Sequence, residues 1–407
     1  MMYFSFYNFI FLLNFIFTIA AFIPNGRWIH SSVLIDKKLY FKGGNKINNN
    51  SIEGLTNELF YLDISKPFTT TDNVSIPWID LTYTGSPLKG EATACIGGKN
   101  NDIIFVFGGY SPLNQPFVNQ FDTSKQQWSN IQSVGPRYRQ DISCAKFSGG
   151  LIAIFSGLSD PDFINDLWIF DTLTFSWSLS NAANAPPQRF GYCAITLPDE
   201  NILYIGGVKF TDLANISSYI PMNILPLYNT KSHIWTNMSI SGPIPSIRTL
   251  FSAILTPDRR IIIFGGCTNG GALGDLWILD TVVFQWSIGK ILNSVEGLVL
   301  CGHTATLVEI YIIVAFGSFI NGSLSSKLFM LDVSQKDSYR WVNEFTTNVT
   351  FPSNTSISDF KIPSLTIGAI TGCVIFLVIL IITMLCYRTY KILKRKQLQK
   401  AIKNMSI

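Results

Sequence analysis

Short apolar runs punctuated by glycine recur through the middle of the chain, between residues 27 and 346. Runs such as "LIAIF" (151–155) and "IIIF" (261–264) are rich in β-branched and aromatic residues, and a glycine follows each within two residues. Runs of this length bounded by turn residues predict buried β-strands. No run in this region reads as an amphipathic helix, so the pattern predicts an all-β domain.

The runs belong to a unit that occurs six times in a fixed order. Each copy has an aromatic or aliphatic residue before a glycine element, then an apolar stretch that ends in Asp, then a tryptophan. The glycine elements lie at 41–44, 107–109, 155–157, 205–207, 264–266 and 316–318. The stretches before Asp lie at 59–63, 118–122, 167–171, 276–280 and 328–332, while the fourth copy departs with "ILPLYN" (224–229). The tryptophans are Trp78, Trp128, Trp177, Trp235, Trp286 and Trp341.

This order and its period of about 50 residues resemble the kelch repeat, in which one repeat forms one four-stranded propeller blade. The resemblance covers roughly residues 27–346 and implies a six-bladed kelch-type β-propeller, with seven blades as the alternative. The first copy begins with its own inner strand, so the ring need not borrow a C-terminal strand to close. Glycines are expected where the backbone turns or where strands approach closely, and Ser156 and Ser318 each replace one of them. The tryptophans are expected to pack between neighbouring blades.

One aligned position near each strand start holds only small residues, as expected around a crowded propeller axis. They are Ser31, Cys95, Cys144, Cys193, Ser252 and Thr304. Because the three cysteines recur once per copy without a C-x-x-C pair, we expect free, buried thiols there. Oxidation in a lumenal compartment is the alternative.

Both ends of the chain are strongly apolar. Residues 1–21 are expected to be a signal peptide, although no basic residue precedes its apolar core, and an uncleaved anchor is the alternative. Residues 364–387 predict one transmembrane helix, and 388–407 a basic cytoplasmic tail. The domains are then a propeller ectodomain (22–346), a polar stalk (347–363), the helix and the tail, which is a single-pass type I arrangement at the cell surface or in the secretory pathway.

The net charge of +4 conceals two oppositely charged parts. Lys361 and the tail hold 8 of the 30 basic residues and none of the 26 acidic ones, so the rest of the chain is acidic. An acidic outer domain argues against nucleic-acid binding. The tail is expected either to contact anionic lipid or to act only as a stop-transfer flank. Seven N-x-[ST] sequons are glycosylation candidates on the outer side: Asn49, Asn73, Asn215, Asn237, Asn321, Asn348 and Asn354.

Motifs for catalysis are sparse. The glycine-rich stretch 261–287 lacks the G-K-[ST] ending of a phosphate loop, and "DPDFIND" (160–166) reads as a polar turn more than a calcium loop. Resemblance to galactose oxidase, which has kelch-type blades, implies a copper site of two histidines and two tyrosines. His30 and His303 share a repeat position in the first and sixth copies, but no copper-site tyrosine or cysteine can be matched. No metal or cofactor is therefore expected.

Arginines suggest a ligand site. Arg27, Arg189 and Arg248 lie four residues before the small position, and Arg139 lies five before it. A ring of arginines at the channel mouth would suit an acidic peptide or a carboxylate-bearing glycan, and hydrogen bonds between blades are the alternative role. The expected function is a non-catalytic binding module, displayed on a membrane, that recognises a protein or glycan ligand through channel-face and inserted loops. A galactose-oxidase-like copper oxidoreductase and an organising protein acting through its basic tail are the alternatives.

Overall fold

The computed structural model describes residues 21–47, 53–113, 115–159, 164–211 and 216–351. Within them the chain forms six four-stranded antiparallel sheets, each built from one continuous segment in the order of the sequence. We call these sheets blades 1 to 6, and the first strand of each is its innermost strand. The six segments follow the six sequence repeats, which confirms the predicted six-bladed β-propeller and excludes the seven-bladed alternative.

The strands are as follows. Blade 1 has Ser31–Ile35, Lys38–Lys42, Leu59–Asp63 and Trp78–Asp80; blade 2 has Thr93–Gly97, Ile103–Phe107, Val118–Asp122 and Gln127–Ile131; blade 3 has Cys144–Phe147, Leu151–Phe155, Leu167–Asp171 and Ser176–Leu179. Blade 4 has Cys193–Thr196, Ile202–Ile205, Leu225–Asn229 and Ile234–Met238; blade 5 has Ser252–Leu255, Arg260–Phe264, Leu276–Asp280 and Gln285–Ile288; blade 6 has Thr304–Val308, Tyr311–Ala315, Leu328–Asp332 and Arg340–Val342.

Short extra elements decorate this ring. Three hairpins follow the second strands of blades 1, 4 and 5: Asn45–Ile47 with Glu53–Leu55, Val208–Thr211 with Ile216–Tyr219, and Cys267–Thr268 with Gly271–Ala272. In the described residues the only helices are two single 3₁₀ turns, Thr82–Thr84 and Ser148–Gly150.

Blades 6 and 1 close the ring without sharing a strand. Six clusters of buried apolar side chains fill the six spaces between neighbouring blades, including the space between blades 6 and 1. There Phe41 and Phe60 of blade 1 contact Phe316 of blade 6, with ring centroids 5.4 and 6.0 Å apart. Outside the blades, Glu344–Phe345 pairs with Phe68–Thr69, and we call this pairing the clasp.

A closed ring of backbone hydrogen bonds surrounds the axis just before the innermost strands. In each blade one residue donates its N–H to the carbonyl of its counterpart in the preceding blade, with N···O distances of 2.7 to 3.2 Å. We call this the amide ring; its members are Ile29, Glu91, Asp141, Gly191, Leu250 and Gly302. All six have positive φ, between 49° and 63°. Non-glycine residues adopt this conformation at a cost of about 1 kcal/mol or more, so the hydrogen bonds of the ring must hold them in it.

The repeated residues have separate structural tasks. Asp280, at the end of a third strand, accepts hydrogen bonds from the N–H groups of Val282 and Val283 and so forms the tight turn that follows. Asn229 makes the same turn in blade 4, which explains why the departure there is tolerated. Trp286 is buried against blade 4 and donates from Nε1 to the carbonyl of Met222 at 3.0 Å. The predicted position of this tryptophan between blades is therefore confirmed.

The glycine elements follow the second strand of each blade. In blade 5, a Cβ on Gly266 would lie 2.6 Å from the Cβ of Phe251 and 2.8 Å from a backbone oxygen, and both Gly265 and Gly266 have positive φ. Only glycine fits there without displacing the innermost strand. In blade 6 the pair is Phe316 and Gly317, so the prediction that Ser318 replaces a glycine is wrong.

The cysteines differ from expectation. Cys95 and Cys144 are disulfide-bonded across blades 2 and 3, with Cα atoms 6.3 Å apart, and Cys267 is bonded to Cys301. Cys193 is the one free thiol among the described residues. The strand registers explain the error: the counterparts of Ser31 and Cys193 in blades 2 and 3 are Thr93 and Ser143, not the cysteines. Cys95 and Cys144 lie two residues and one residue further along, where neighbouring strands bring them together.

The predicted terminal segments lie almost wholly outside the described residues. Residues 1–20 of the signal peptide, residues 352–363 of the stalk, the transmembrane helix and the basic tail are outside the described residues. Among those that are described, no helix combines the length and the apolar character needed to cross a membrane.

Candidate functional site

The two faces of the propeller are unequal. The connections between the second and third strands all emerge on the face where the innermost strands begin, and we call this the loop face. It carries the three extra hairpins and the amide ring. The opposite face, which we call the turn face, carries mostly tight turns such as Asp36–Lys37 and Thr281–Phe284. Long connections on a rigid scaffold are where recognition is usually placed.

A cavity of about 240 Å³ lies on the axis, below the amide ring. The amide-ring residues line it, together with the first residues of five innermost strands and, in blade 3, Ser143 just before the strand. Their polar groups include Ser31, Thr93, Ser143, Ser252 and Thr304. Most of the lining residues are small, as a narrow axial space requires. The thiol of Cys193 also lines it and donates to the carbonyl of Phe251 at 3.2 Å, and burial raises the pKa of this thiol to about 12.

The predicted arginines share one repeat position, two residues before the amide ring, but they are buried inside their blades. Arg139 forms a two-pronged ion pair with Asp166, at 2.6 and 3.1 Å, and donates to the carbonyl of Ser156 at 2.9 Å. Arg248 repeats this geometry with Asp275 at 2.7 and 2.8 Å. Burial would raise the pKa of Asp275, but the hydrogen bonds and charge of Arg248 hold it below its usual value.

Arg27 follows the same scheme in blade 1. It pairs with Glu58 and contacts the rings of Phe60 and Phe316, at 4.6 and 5.4 Å from their centroids. The second glycine of each blade donates to the carbonyl at this position in the next blade, for example Gly109 to Arg139 at 3.0 Å. The guanidinium hydrogen bonds of these three arginines thus join strands within their own blades, while the hydrogen bonds between blades go to the backbone carbonyl at this position.

Arg189 in blade 4 breaks the scheme. Ile224 occupies the place that Asp166 and Asp275 hold in blades 3 and 5, as the strand registers show. The buried Nε and Nη1 atoms of Arg189 have no hydrogen-bond partner in the structure, and burial lowers its pKa to about 10. Ligand binding by the four arginines stays a prediction, and Arg189 is the one whose guanidinium lacks an acidic partner.

Blade 2 has a lysine at this position. The Nζ atom of Lys89 donates to the carbonyl of Pro116 at 2.7 Å, and burial lowers the pKa of Lys89 to about 7. The sequence analysis missed this residue because Cys95 was taken as the reference point of the copy. Counted from Thr93, Lys89 lies four residues ahead, at the spacing shared by Arg27, Arg189 and Arg248.

Two carboxyl groups at the channel mouth were also missed. Glu91 and Asp141 are neighbours in the amide ring, and Asp141 donates its N–H to the carbonyl of Glu91 at 3.0 Å. The Oδ1 atom of Asp141 is buried and accepts no hydrogen bond in the structure. Burial, and then the charge of Glu91, raises the pKa of Asp141 to about 7. The mouth predicted to be a ring of arginines therefore presents acidic groups on this side.

The histidines of the repeat position come together as ring closure requires. His30 and His303 belong to adjacent blades, and both are buried. His30 Nε2 is 2.9 Å from Thr304 Oγ1, and His303 lies edge-on to Phe264. Burial lowers the pKa of both, to about 4 for His303. In the described part of the chain, no group of three or more His, Cys, Asp or Glu side chains is arranged to hold a metal ion.

The other predicted polar sites have simple surroundings. Asp166, the last residue of "DPDFIND", is paired with Arg139, while residues 160–163 lie outside the described residues. Four sequon asparagines are described, and all are exposed: Asn73, Asn237, Asn321 and Asn348. Asn49, Asn215 and Asn354 lie outside the described residues.

The chain matches the model of the KLHDC2/KLHL20/DRC7 Kelch-repeats domain over residues 29–256 and 218–358. It is similar to Kelch domain-containing protein 3 of Rattus norvegicus, with 28% identity over 61% of this chain and 63% of that protein. It is also similar to Acyl-CoA-binding domain-containing protein 5 of Arabidopsis thaliana, with 25% identity over 78% of this chain and 48% of that protein. A third relative is Host cell factor homolog hcf-1 of Caenorhabditis elegans, with 24% identity over 46% of this chain and 26% of that protein.

The chain thus spans less than two thirds of the length of these relatives. Among solved structures, "Structure of YjhT" superposes with a TM-score of 0.60 and 13% identity, covering 79% of this chain and 99% of that one. At this identity the likeness concerns the fold.

Proposed function

Because the chain belongs to the kelch-repeat family of β-propellers, we propose that it is a non-catalytic binding module that recognises a protein ligand through its loop face. The observation that carries this proposal is the inequality of the two faces. The three extra hairpins and the channel mouth lie on the loop face, while the connections on the turn face are mostly tight turns. The scaffold beneath is rigid, so loops on it can hold a preformed recognition surface.

The proposal includes display of the propeller outside a membrane, as a type I protein in the secretory pathway or at the cell surface. Two disulfides in the domain favour an oxidising compartment. Exposure of the four described sequon asparagines is also compatible with glycosylation. The sequence supplies the predicted signal peptide and transmembrane helix. Protein ligands are preferred to glycans because the loop face offers apolar and acidic groups alike.

A binding screen tests the recognition role. The full-length chain in lipid nanodiscs is screened against a library of secreted proteins and receptor ectodomains. We expect a partner whose binding is lost when the Val208–Tyr219 hairpin is replaced by a short turn, and is kept when Asp36 and Asp199 of the turn face become Asn. A partner that depends on the turn face and ignores the hairpin would contradict the proposal.

Glycosidase treatment tests the topology. In cells that express the tagged full-length chain, we expect digestion to lower its apparent mass. Asn→Gln changes at Asn73, Asn237, Asn321 and Asn348 should remove part of that shift. An antibody that cannot cross membranes should bind an N-terminal epitope on intact cells if the chain reaches the surface. A chain that carries no glycan and has free thiols at Cys95 and Cys144 would oppose an extracytoplasmic location.

A further inference from the structure

A second cavity, of about 240 Å³, lies at the outer rim of blade 4. Its walls are the connection 184–187 that leads from blade 3, the residues Ile224 and Pro226 at the start of the third strand, and the segment 235–237 of the fourth strand. We call it the rim cavity. Its lining combines proline and isoleucine with asparagine and threonine, and Ile224 is 42% exposed. The rim cavity therefore offers both apolar surface and polar groups to an occupant.

A glycosylation sequon begins inside this lining. Asn237 and Trp235 lie two residues apart in the fourth strand, so their side chains leave the same face of the blade. Both residues line the rim cavity, and the cross-strand partner of Asn237 is Pro226, which lines it too. Asn237 is exposed, and the sequence Asn-Met-Ser that it begins is an N-x-[ST] sequon. A glycan attached to Asn237 would start at the edge of the rim cavity.

Trp235 supplies a second, independent observation. Trp286, at the same repeat position in blade 5, donates from Nε1 to the carbonyl of Met222 at 3.0 Å. Trp235 is only 4% exposed, and its buried Nε1 atom has no hydrogen-bond partner in the structure. Buried donors in folded proteins nearly always have an acceptor. The indole of Trp235, which lines the rim cavity, therefore points to an acceptor that the protein chain does not supply.

We propose that Asn237 carries an N-linked glycan whose first N-acetylglucosamine packs into the rim cavity, with the apolar face of the sugar against Ile224 and one of its oxygens accepting the hydrogen bond of Trp235 Nε1. The sugar comes from a lipid-linked oligosaccharide. Its C1 atom forms a bond to Nδ2 of Asn237, Nδ2 loses a proton, and the lipid pyrophosphate leaves. This inference rests on the proposed extracytoplasmic location and gives one glycan a structural task, which is to cover the outer rim between blades 3 and 4.

Two of the other described sequons have different surroundings. The Oδ1 atom of Asn321 accepts hydrogen bonds from the N–H and the hydroxyl of Ser323, at 3.0 and 2.7 Å, within its own turn. Asn73 lies in a run of exposed residues, 71–75. A glycan on Asn73 is expected to extend into solvent, which makes Asn73 the reference for a glycan without a seat.

The test compares how fast the two glycans are released from the folded protein. The full-length chain is expressed in cells, purified in nanodiscs and treated without denaturant with peptide-N-glycosidase in water labelled with heavy oxygen. The enzyme cuts between Asn and the first sugar and leaves a labelled Asp, which peptide mass spectrometry counts at each site. We expect release from Asn237 to be about tenfold slower than from Asn73, because the bond is reached only when the sugar leaves the rim cavity.

Variants of the lining test the seat itself. Trp235→Phe removes the Nε1 donor and keeps an aromatic ring, and Ile224→Ala removes apolar contact, so each should speed release from Asn237 severalfold. The matched control is Ile234→Ala, which truncates another exposed isoleucine next to Trp235 that does not line the rim cavity. Its release should match the wild type. Thermal melting of the three variants shows whether faster release reflects unfolding.

Each contrary outcome has a distinct meaning. Equal release from Asn237 and Asn73 would overturn the inference, and so would a chain that is glycosylated at Asn73 and bare at Asn237; in both cases the proposed location stands. A chain without glycan at any sequon would count against the location and the inference together. Slow release that Ile224→Ala and Trp235→Phe leave unchanged would also overturn the inference, because the protection would then come from elsewhere.

Discussion

Blades 3 and 4 place an arginine at the same repeat position, in the same backbone setting, with opposite consequences. In blade 3, the two carboxylate oxygens of Asp166 accept hydrogen bonds from Nη1 and Nη2 of Arg139. In blade 4, Ile224 stands where the acid should be, and the buried Arg189 keeps two donors without partners. A residue type that recurs at one repeat position therefore does not contribute equally to stability in every blade. Its contribution depends on a partner that a different strand supplies, and blade 4 kept the arginine without that partner.

The largest expected effect is the loss of stability on removing Arg139, compared with the removal of Arg189. Arg139→Met removes the ion pair from Asp166, which keeps the hydrogen bond from Trp168 Nε1, and leaves the carbonyl of Ser156 without the Arg139 donor, so it should lower the free energy of unfolding by about 3–5 kcal/mol. Arg189→Met removes an unpaired buried charge and should change that free energy by less than about 1 kcal/mol, or raise it. Urea titration followed by tryptophan fluorescence measures both. Equal losses in the two variants would show that the acidic partner is not what separates the blades.

The same two blades differ again in the amide ring, where blade 3 has Asp141 and blade 4 has Gly191. The folded-state pKa of Asp141 is raised from 3.8 to about 7, so the folded chain holds this proton more tightly than the unfolded chain does. The corresponding stabilisation is complete below about pH 4 and is lost as the pH rises through about 7. Asp141→Asn should therefore nearly match the wild type near pH 4 and exceed its free energy of unfolding by up to about 4 kcal/mol at pH 8.

Denaturation between pH 4 and pH 8 checks this dependence. Asp199→Asn on the turn face is the control, because it removes a carboxyl that lies outside the ring. A difference between Asp141→Asn and the wild type that stays constant across this range would contradict the prediction.

The smallest expected effect comes from restoring the missing partner in blade 4. Ile224→Asp should pair with Arg189 and raise the free energy of unfolding by about 1 kcal/mol, since the position is 42% exposed and the carboxylate is only partly desolvated. Ile224→Asn offers similar size without the charge and should gain less. A double-mutant cycle with Arg189→Met isolates the pair. If Ile224→Asp stabilises the chain equally without Arg189, the gain has another origin.

The sequence predicts the architecture because each blade needs the same few residues. Gly266 fits where the innermost strand leaves no room for a Cβ, Asp280 forms the turn, and Trp286 fills the space between two blades. These requirements are local and recur six times, so the repeat can be recognised without a structure. Ring closure by blade 1 with its own strands was predicted on the same basis.

The site was harder to predict because it depends on register. Aligning the repeats by their cysteines put Cys144 and Cys95 at the positions that belong to Ser143 and Thr93, an error of one and two residues. This misalignment hid the disulfide between the two cysteines and the neighbouring carboxyl groups of Glu91 and Asp141. The five-residue spacing from Arg139 to Cys144, against four elsewhere, was the available signal. The spacing of the ion pairs was a second signal in the sequence, since Arg139 and Arg248 each lie 27 residues before their acidic partners. This spacing can be interpreted only when the third strand is known to begin directly after the acidic residue.

The clasp has a mechanical consequence. Each blade is complete in itself, and the segment after blade 6 is held by the pairing of Glu344–Phe345 with Phe68–Thr69 and by the hydrogen bond from Val349 N–H to Glu309. A pulling force applied at the C-terminal side would load these contacts first and would peel them one after another. The amide ring, whose hydrogen bonds run around the axis, would carry tension only after the clasp had opened. The propeller can therefore yield at one edge under load while its channel mouth keeps its shape.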